Sequence, residues 1–183
     1  MKEMNCDILV FGAGLSGLMT AFALSSLDLK IIIIDRFNFV NEKNNKNDLR
    51  TTAIAEGSKV FFETIGIWTK ISKYCEPIKD IEVVDRSTIN KLSFNNKNKT
   101  KNLGYIIRNT LLKKVILENI KKKSNIELVA SFKTTFIDTK ESSITVESNK
   151  NHVTANDEKT GSGNWLREKK EEGFDKTQES YQN

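Results

Sequence analysis

Cys6-Asp-Ile-Leu-Val-Phe-Gly-Ala-Gly-Leu-Ser-Gly17, answered downstream by Ile31-Ile32-Ile33-Ile34-Asp35, is the stretch that decides the fold. A short apolar run delivers the chain to Gly12, and a tight turn there lets the backbone approach a pyrophosphate. The helix that opens behind the turn aims its N-terminal N–H groups at the phosphate charge. Gly12 makes the turn, Gly14 leaves room for the phosphates against the backbone, and Gly17 lets the helix pack closely on the strand. Ala13, Leu15 and Ser16 fill the variable positions of the same cofactor-binding loop.

A bare GxGxxG is weak evidence, because only three positions are fixed. Its context supplies the strength: a strand before it, a helix after it, a second strand, and an acid about 20 residues on. Residues 7–11 form a short buried-type run, and residues 15–26 carry Leu15, Leu18, Met19, Phe22 and Ala23 at helical spacing. Residues 30–34 are the second strand. Asp35 then stands where a carboxylate accepts hydrogen bonds from both hydroxyls of an adenosine ribose and repels a 2′-phosphate. A βαβ unit without a ligand is the bland alternative, and the full context disfavours it.

The 183 residues correspond to one domain with a sizeable core and no room for a second full domain. The net charge of +5 raises the question of nucleic acid. The lysines, however, are scattered among Asn and Asp and form no basic face interleaved with aromatics, which argues against that partner. Cys6 and Cys75 form neither a CxxC pair nor a zinc-ligand cluster, so no metal site is expected. No run approaches the ~20 apolar residues of a membrane span, and the glycines interrupt the N-terminal apolar stretch before it could act as a signal-peptide core. The reading is a cytoplasmic protein, with attachment to the surface of the inner membrane left open.

Further along, residues 36–48 are polar and read as a surface loop. Between 56 and 74 the positions Val60, Phe61, Ile65, Trp68 and Ile71 recur at helical intervals, with Gly66 as a weak point and Pro77 as a boundary. Runs at 81–85, 91–94 and 104–107 predict a small antiparallel ribbon. Residues 110–123 predict a helix with Asn109 or Thr110 as N-cap and Lys121, Lys122 and Lys123 complementing its C-terminal dipole. Residues 126–130 read as a third buried strand, and 133–137 with 144–146 as a hairpin-like pair. The organisation is therefore a nucleotide-binding region over residues 1–149 and a polar, disordered or degenerate tail over 150–183, too poor in apolar residues to offset chain entropy. His152 reads as solvent-exposed, and no catalytic acid, base or nucleophile is identified.

These pieces resemble the N-terminal part of the FAD-dependent aromatic hydroxylases of ubiquinone biosynthesis, of the 2-octaprenyl-6-methoxyphenol hydroxylase kind, relatives of para-hydroxybenzoate hydroxylase. The fingerprint with Asp35-Arg36 carries part of the resemblance. Asp48-Leu-Arg-Thr-Thr-Ala-Ile-Ala-Glu-Gly-Ser58 leading to Ile65-Gly-Ile-Trp68 carries more. Leu103-Gly-Tyr-Ile-Ile-Arg108 is similar to the family's segment that returns to the flavin. The resemblance implies an α/β, Rossmann-type βαβ FAD-binding fold with a small antiparallel ribbon. It adds Arg36, Arg50 and Arg108 to Gly12–Gly17 and Asp35 as cofactor contacts. The implied activity is that of a monooxygenase using FAD, NAD(P)H and O₂ to hydroxylate a prenylated phenol, in association with a membrane or a ubiquinone-pathway complex.

The departures weigh beside it. Where the family has Asp-Gly-x-x-Ser-x-x-Arg, this chain offers Thr160-Gly161-Ser162-Gly163-Asn164-Trp165-Leu166-Arg167, in which Gly161 and Arg167 alone fit. The family's later Gly-Asp motif is missing, so the expectation is a chain truncated relative to the family and incomplete by itself. An NAD-dependent or other dinucleotide-binding oxidoreductase, and a nonenzymatic remnant, stay open as alternatives.

Overall fold

The computed structural model describes residues 2–40, 48–84, 91–95, 102–140 and 142–156. The polar loop core at 41–47 and the degenerate signature at 160–167 lie outside the described residues, as do most of the turn before Gly104 and the end of the chain.

Two strands and a helix come directly from the opening stretch. A bend at Asp7 divides the N-terminal run into β1 (Lys2–Cys6) and β2 (Ile8–Phe11). The Lys30 carbonyl accepts from both Asp7 N–H and Ile8 N–H, at 2.9 and 3.1 Å, while the Asp7 carboxylate accepts from Lys30 N–H at 2.7 Å. Those bonds send the two strands into different sheets. β1 is an addition to the reading above, and its Met4 and Cys6 point inward in alternation.

After α1 (Leu15–Leu24), β3 (Ile31–Ile34) runs parallel to β2 on one side and to β9 (Ile126–Val129) on the other. All four of its isoleucines are buried, as expected of a strand covered on both faces. Ile31 and Ile33 face α1 and α4 (Asn109–Ile120), packing with Leu18, Phe22, Ile116 and Ile120. Ile32 and Ile34 face the opposite way, onto Met4, Phe132, Val146 and Val153 of a second sheet. That sheet has the order β1, β12 (Asn151–Asn156), β11 (Ser143–Ser148), β10 (Thr134–Thr139). The core is thus a helix layer, a parallel sheet and a mostly antiparallel sheet, with β3 in the middle.

The boundary expected at residue 149 is corrected by β12, which lies between β1 and β11 with Val153 fully buried. Only Val153 and Ala155 signal it in sequence, and its place comes from backbone pairing on both sides. His152 is corrected with it: its side chain is 29% exposed, and Nδ1 lies 3.2 Å from Glu147 Oε1 on the paired strand.

The helical stretch at 56–74 divides into α2 (Glu56–Thr64), α3 (Trp68–Ile71) and a single 3-10 turn at Ser72–Tyr74, broken at Gly66 with φ +73°. The break shifts the helical phase. Val60 and Phe61 are therefore exposed, and Phe62, Ile67 and Ile71 supply the core instead. The expected ribbon is also smaller than read: β6 (Asp80–Val84) pairs with β7 (Lys91–Asn95), but β8 (Gly104–Arg108) leaves it. β8 is the centre of a separate antiparallel sheet between β4 (Thr51–Ala55) and β5 (Glu76–Ile78). Its Gly104 is forced by contact, since a Cβ there would stand 2.6 Å from the Ile54 carbonyl oxygen. α4 begins one residue earlier than predicted and has no side-chain cap, because Asn109 Oδ1 instead accepts from Thr52 Oγ1 at 2.6 Å. Lys121–123 follow its last turn, and Lys123 Nζ rests 5.7 Å from the Phe22 ring centre.

Candidate functional site

The glycine turn sits at the C-terminal ends of β2 and β3, the side of a parallel sheet on which ligands bind. Gly12 has φ +94°, which L side chains rarely adopt, and its N–H donates to the Ile34 carbonyl at 2.8 Å. Gly17 is required by packing: a Cβ there would meet the Gly12 carbonyl oxygen at 2.0 Å. Gly14 is different. A Cβ on it would meet nothing within 4 Å, so the space in front of the turn is open. Gly14 is also the N-cap of α1, and neither a side-chain cap nor an acid in the first turn competes for that helix's leading N–H groups. The loop therefore presents oriented donors, the helix dipole and vacant space, which together fit a pyrophosphate.

Asp35 is fixed to this loop. Its Oδ2 accepts from Ala13 N–H at 2.7 Å and its Oδ1 from Phe37 N–H at 2.8 Å. Each oxygen keeps a free lone pair for a hydroxyl donor. Beside it opens a cleft of about 950 Å³, lined by Gly12, Asp35, Phe37, Phe132 and Lys133 among others. Arg36 lines the same cleft, its guanidinium 4.6 Å from the Phe37 ring centre. The sequence reading placed Asp35 and Arg36 here and missed Phe37, Phe132 and Lys133. The signal that would have found them is position: they follow the C-terminal ends of β3 and β9, neighbouring parallel strands.

The other two arginines meet elsewhere. Thr51 pairs with Arg108 across β4 and β8, and Asn109 N–H donates to the Arg50 carbonyl at 3.0 Å, so Arg50 and Arg108 share one end of that sheet. The Arg50 guanidinium is engaged by Asp48 in a two-point ion pair, Nε to Oδ1 at 2.8 Å and Nη2 to Oδ2 at 2.9 Å. Its hydrogen bonds hold the Asp48 carboxyl down at about 2. Among the described residues neither arginine bonds to the glycine loop. Trp68 packs edge-on to Tyr105 at 4.9 Å and serves the core. Burial pushes the Cys6 thiol up to about 11, which leaves it unreactive. Among the described residues no cluster of three or more His, Cys, Asp or Glu side chains is placed to hold a metal. No described helix is long and apolar enough to cross a membrane.

No family model matches the sequence. Against individual proteins it is 27% identical over 133 residues to the ubiquinone hydroxylase UbiM of Neisseria meningitidis. It is 31% identical over 114 residues to the ubiquinone hydroxylase UbiL of Rhodospirillum rubrum. The chain is similar in sequence to part of these ubiquinone hydroxylases. The matched regions cover 69% and 62% of this chain but 29% and 27% of those proteins, so it spans under a third of their length. The fold agrees. The p-nitrophenol 4-monooxygenase PnpA of Pseudomonas putida superposes with a TM-score of 0.67 at 19% identity, covering 85% of this chain and 40% of that one. The flavin-dependent monooxygenase PieE, solved with FAD and substrate, gives 0.67 at 12% identity, covering 85% and 30%. The fold is one shared with part of these monooxygenases.

Proposed function

We propose that this chain binds FAD and is the cofactor-holding part of a flavin-dependent monooxygenase that hydroxylates a prenylated phenol in ubiquinone biosynthesis. One observation carries the reading: an acid at the end of the second strand, bonded to the glycine turn, beside an open Gly14 and an uncapped helix. In this reading Leu15, Ser16 and Gly17 present the helix end to the pyrophosphate. Asp35 takes the ribose hydroxyls, with Gly12 and Ala13 fixing its position. Arg36 borders the adenosine, and Arg50 and Arg108 approach the remainder of the cofactor from the β4–β8 end. The resemblance at Leu103–Arg108 and the FAD bound in the similarly folded monooxygenase PieE support FAD over NAD.

Bound FAD would supply the redox chemistry, taking electrons from NAD(P)H and activating O₂. The chain's own part is to bind and orient it, and no described residue is assigned as an acid or base. The phenolic substrate and the remaining structure of the enzyme belong to the whole protein. Such a substrate carries a long apolar tail, so the protein works at the cytoplasmic surface of the inner membrane or within a ubiquinone-pathway complex.

The test is retention of FAD by the purified chain, read as yellow colour and as a saturable change in flavin fluorescence. Gly14→Val fills only open space in the protein, so it should leave the melting temperature unchanged and abolish retention. Equal retention by the variant would mean that the glycine loop is not the site.

A further inference from the structure

Ser131 has φ +58°, and it is the only residue other than glycine among the described ones to adopt a positive value. A side chain in the left-handed region is disfavoured, and such outliers persist where the surrounding structure requires them. What Ser131 does there is visible in the bonds on either side. Its own N–H donates to the Phe37 carbonyl at 3.2 Å, and the next N–H, of Phe132, donates to the Asp35 carbonyl at 2.8 Å. The Phe132 ring is then carried into the core, where it is 2% exposed among Met4, Cys6, Ile34 and Val153. Lys133 and Thr134 continue along the cleft wall. Among the described residues the Ser131 hydroxyl has no hydrogen-bond partner, and the residue is exposed, so its contribution is made by the backbone.

Asp35 is consequently held at four points: its carboxylate by Ala13 and Phe37, its own N–H by the Val129 carbonyl at 3.2 Å, and its carbonyl by Phe132. The Phe132 bond depends directly on the Ser131 turn, and the Ser131 N–H bond to the Phe37 carbonyl holds the segment whose N–H bonds the carboxylate. We infer that Ser131 is a positioning residue for the adenosine half of the bound dinucleotide: its left-handed backbone docks residues 131–134 against residues 35–37 and so sets the width of the cleft beside Asp35. This rests on the dinucleotide reading above. It adds a residue that no part of the glycine fingerprint contains.

The inference separates backbone conformation from side-chain chemistry. Ser131→Gly and Ser131→Asn retain access to positive φ, whereas Ser131→Val, branched at Cβ, does not. Titration with ADP, which carries only the adenosine and pyrophosphate portions, should give wild-type affinity for the Gly and Asn variants and a loss of about tenfold or more for Val, which should still unfold cooperatively but at a lowered melting temperature. Amide exchange without ligand should be faster at Phe132 in the Val variant alone. Equal ADP affinity for Val and wild type would overturn the inference, as would a Gly variant as impaired as Val. A Val variant that fails to fold would assign Ser131 to the support of the fold instead. Should the wild type not bind ADP, the dinucleotide reading fails, and exchange at Phe132 still reports whether Ser131 holds the wall.

Discussion

The two ends from which a cofactor would be held are built differently. At the glycine loop every contact is short and supported from below: Gly12 on Ile34, Ala13 on Asp35, and Asp35 on a fully buried strand. At the arginine end, Arg50 projects with its side chain 80% exposed and bonds to an aspartate two residues away. The first is rigid before any ligand arrives, whereas the second is a surface ion pair that a phosphate or flavin would have to displace or extend. Affinity should therefore reside mainly in the first, and orientation of the rest of the cofactor in the second.

Gly17→Val should break the contrast most severely. Its side chain would overlap the Gly12 carbonyl, an overlap that flexible atoms cannot absorb, and the expected outcome is loss of cooperative thermal unfolding. A folded Gly17→Val protein that still holds FAD would mean the turn is not packed as described. Asp35→Asn should come next. The substitution removes the charge from an oxygen pair that accepts two main-chain N–H bonds, costing about 1–3 kcal/mol of stability and lowering FAD affinity markedly. Calorimetry and flavin titration on the same sample measure the two effects together.

Arg50→Ala should do least to the fold, with no measurable change in melting temperature, while weakening FAD more than it weakens ADP if the arginine serves the flavin half. Its ion pair also has a predictable pH dependence. The Asp48 carboxyl is lowered from 3.8 to about 2 in the folded chain, so any stabilisation from the pair is fully present above the unfolded value. It fades as pH falls through the folded one. Any loss of stability on replacing Arg50 should therefore be constant above the ordinary carboxylate range and should vanish as the pH falls toward about 2. A difference that varies with pH near neutrality would point to another group.

The same contrast explains what was legible in the sequence. The βαβ unit could be read because its spacing is local: one strand, one turn and one helix within residues 8–24, and an acid at the end of the next strand. β9 and the β10–β11 hairpin were visible as apolar runs. The elements that were misread depend on partners distant in the chain. β12 has two apolar residues and is specified by β1, about 150 positions earlier. β8 looks like a third ribbon strand until β4 and β5 claim it from both sides. The phase change at Gly66, which turns Val60 and Phe61 outward, is a backbone event that a periodic pattern averages away. Phe132 and Ser131 are invisible as site residues because the cleft that Phe132 lines, beside the Ser131 turn, exists only once β9 lies beside β3.

The glycine loop and Asp35 are the site only if a dinucleotide touches the chain there. Amide shifts measured by NMR during titration with ADP test this residue by residue. The largest changes should fall on Ala13–Gly17, with Phe37 and Phe132 following, and Arg50 and Arg108 should stay nearly still because ADP lacks the flavin half. Saturable binding whose shifts cluster away from the glycine loop, or no shifts at all, would contradict it.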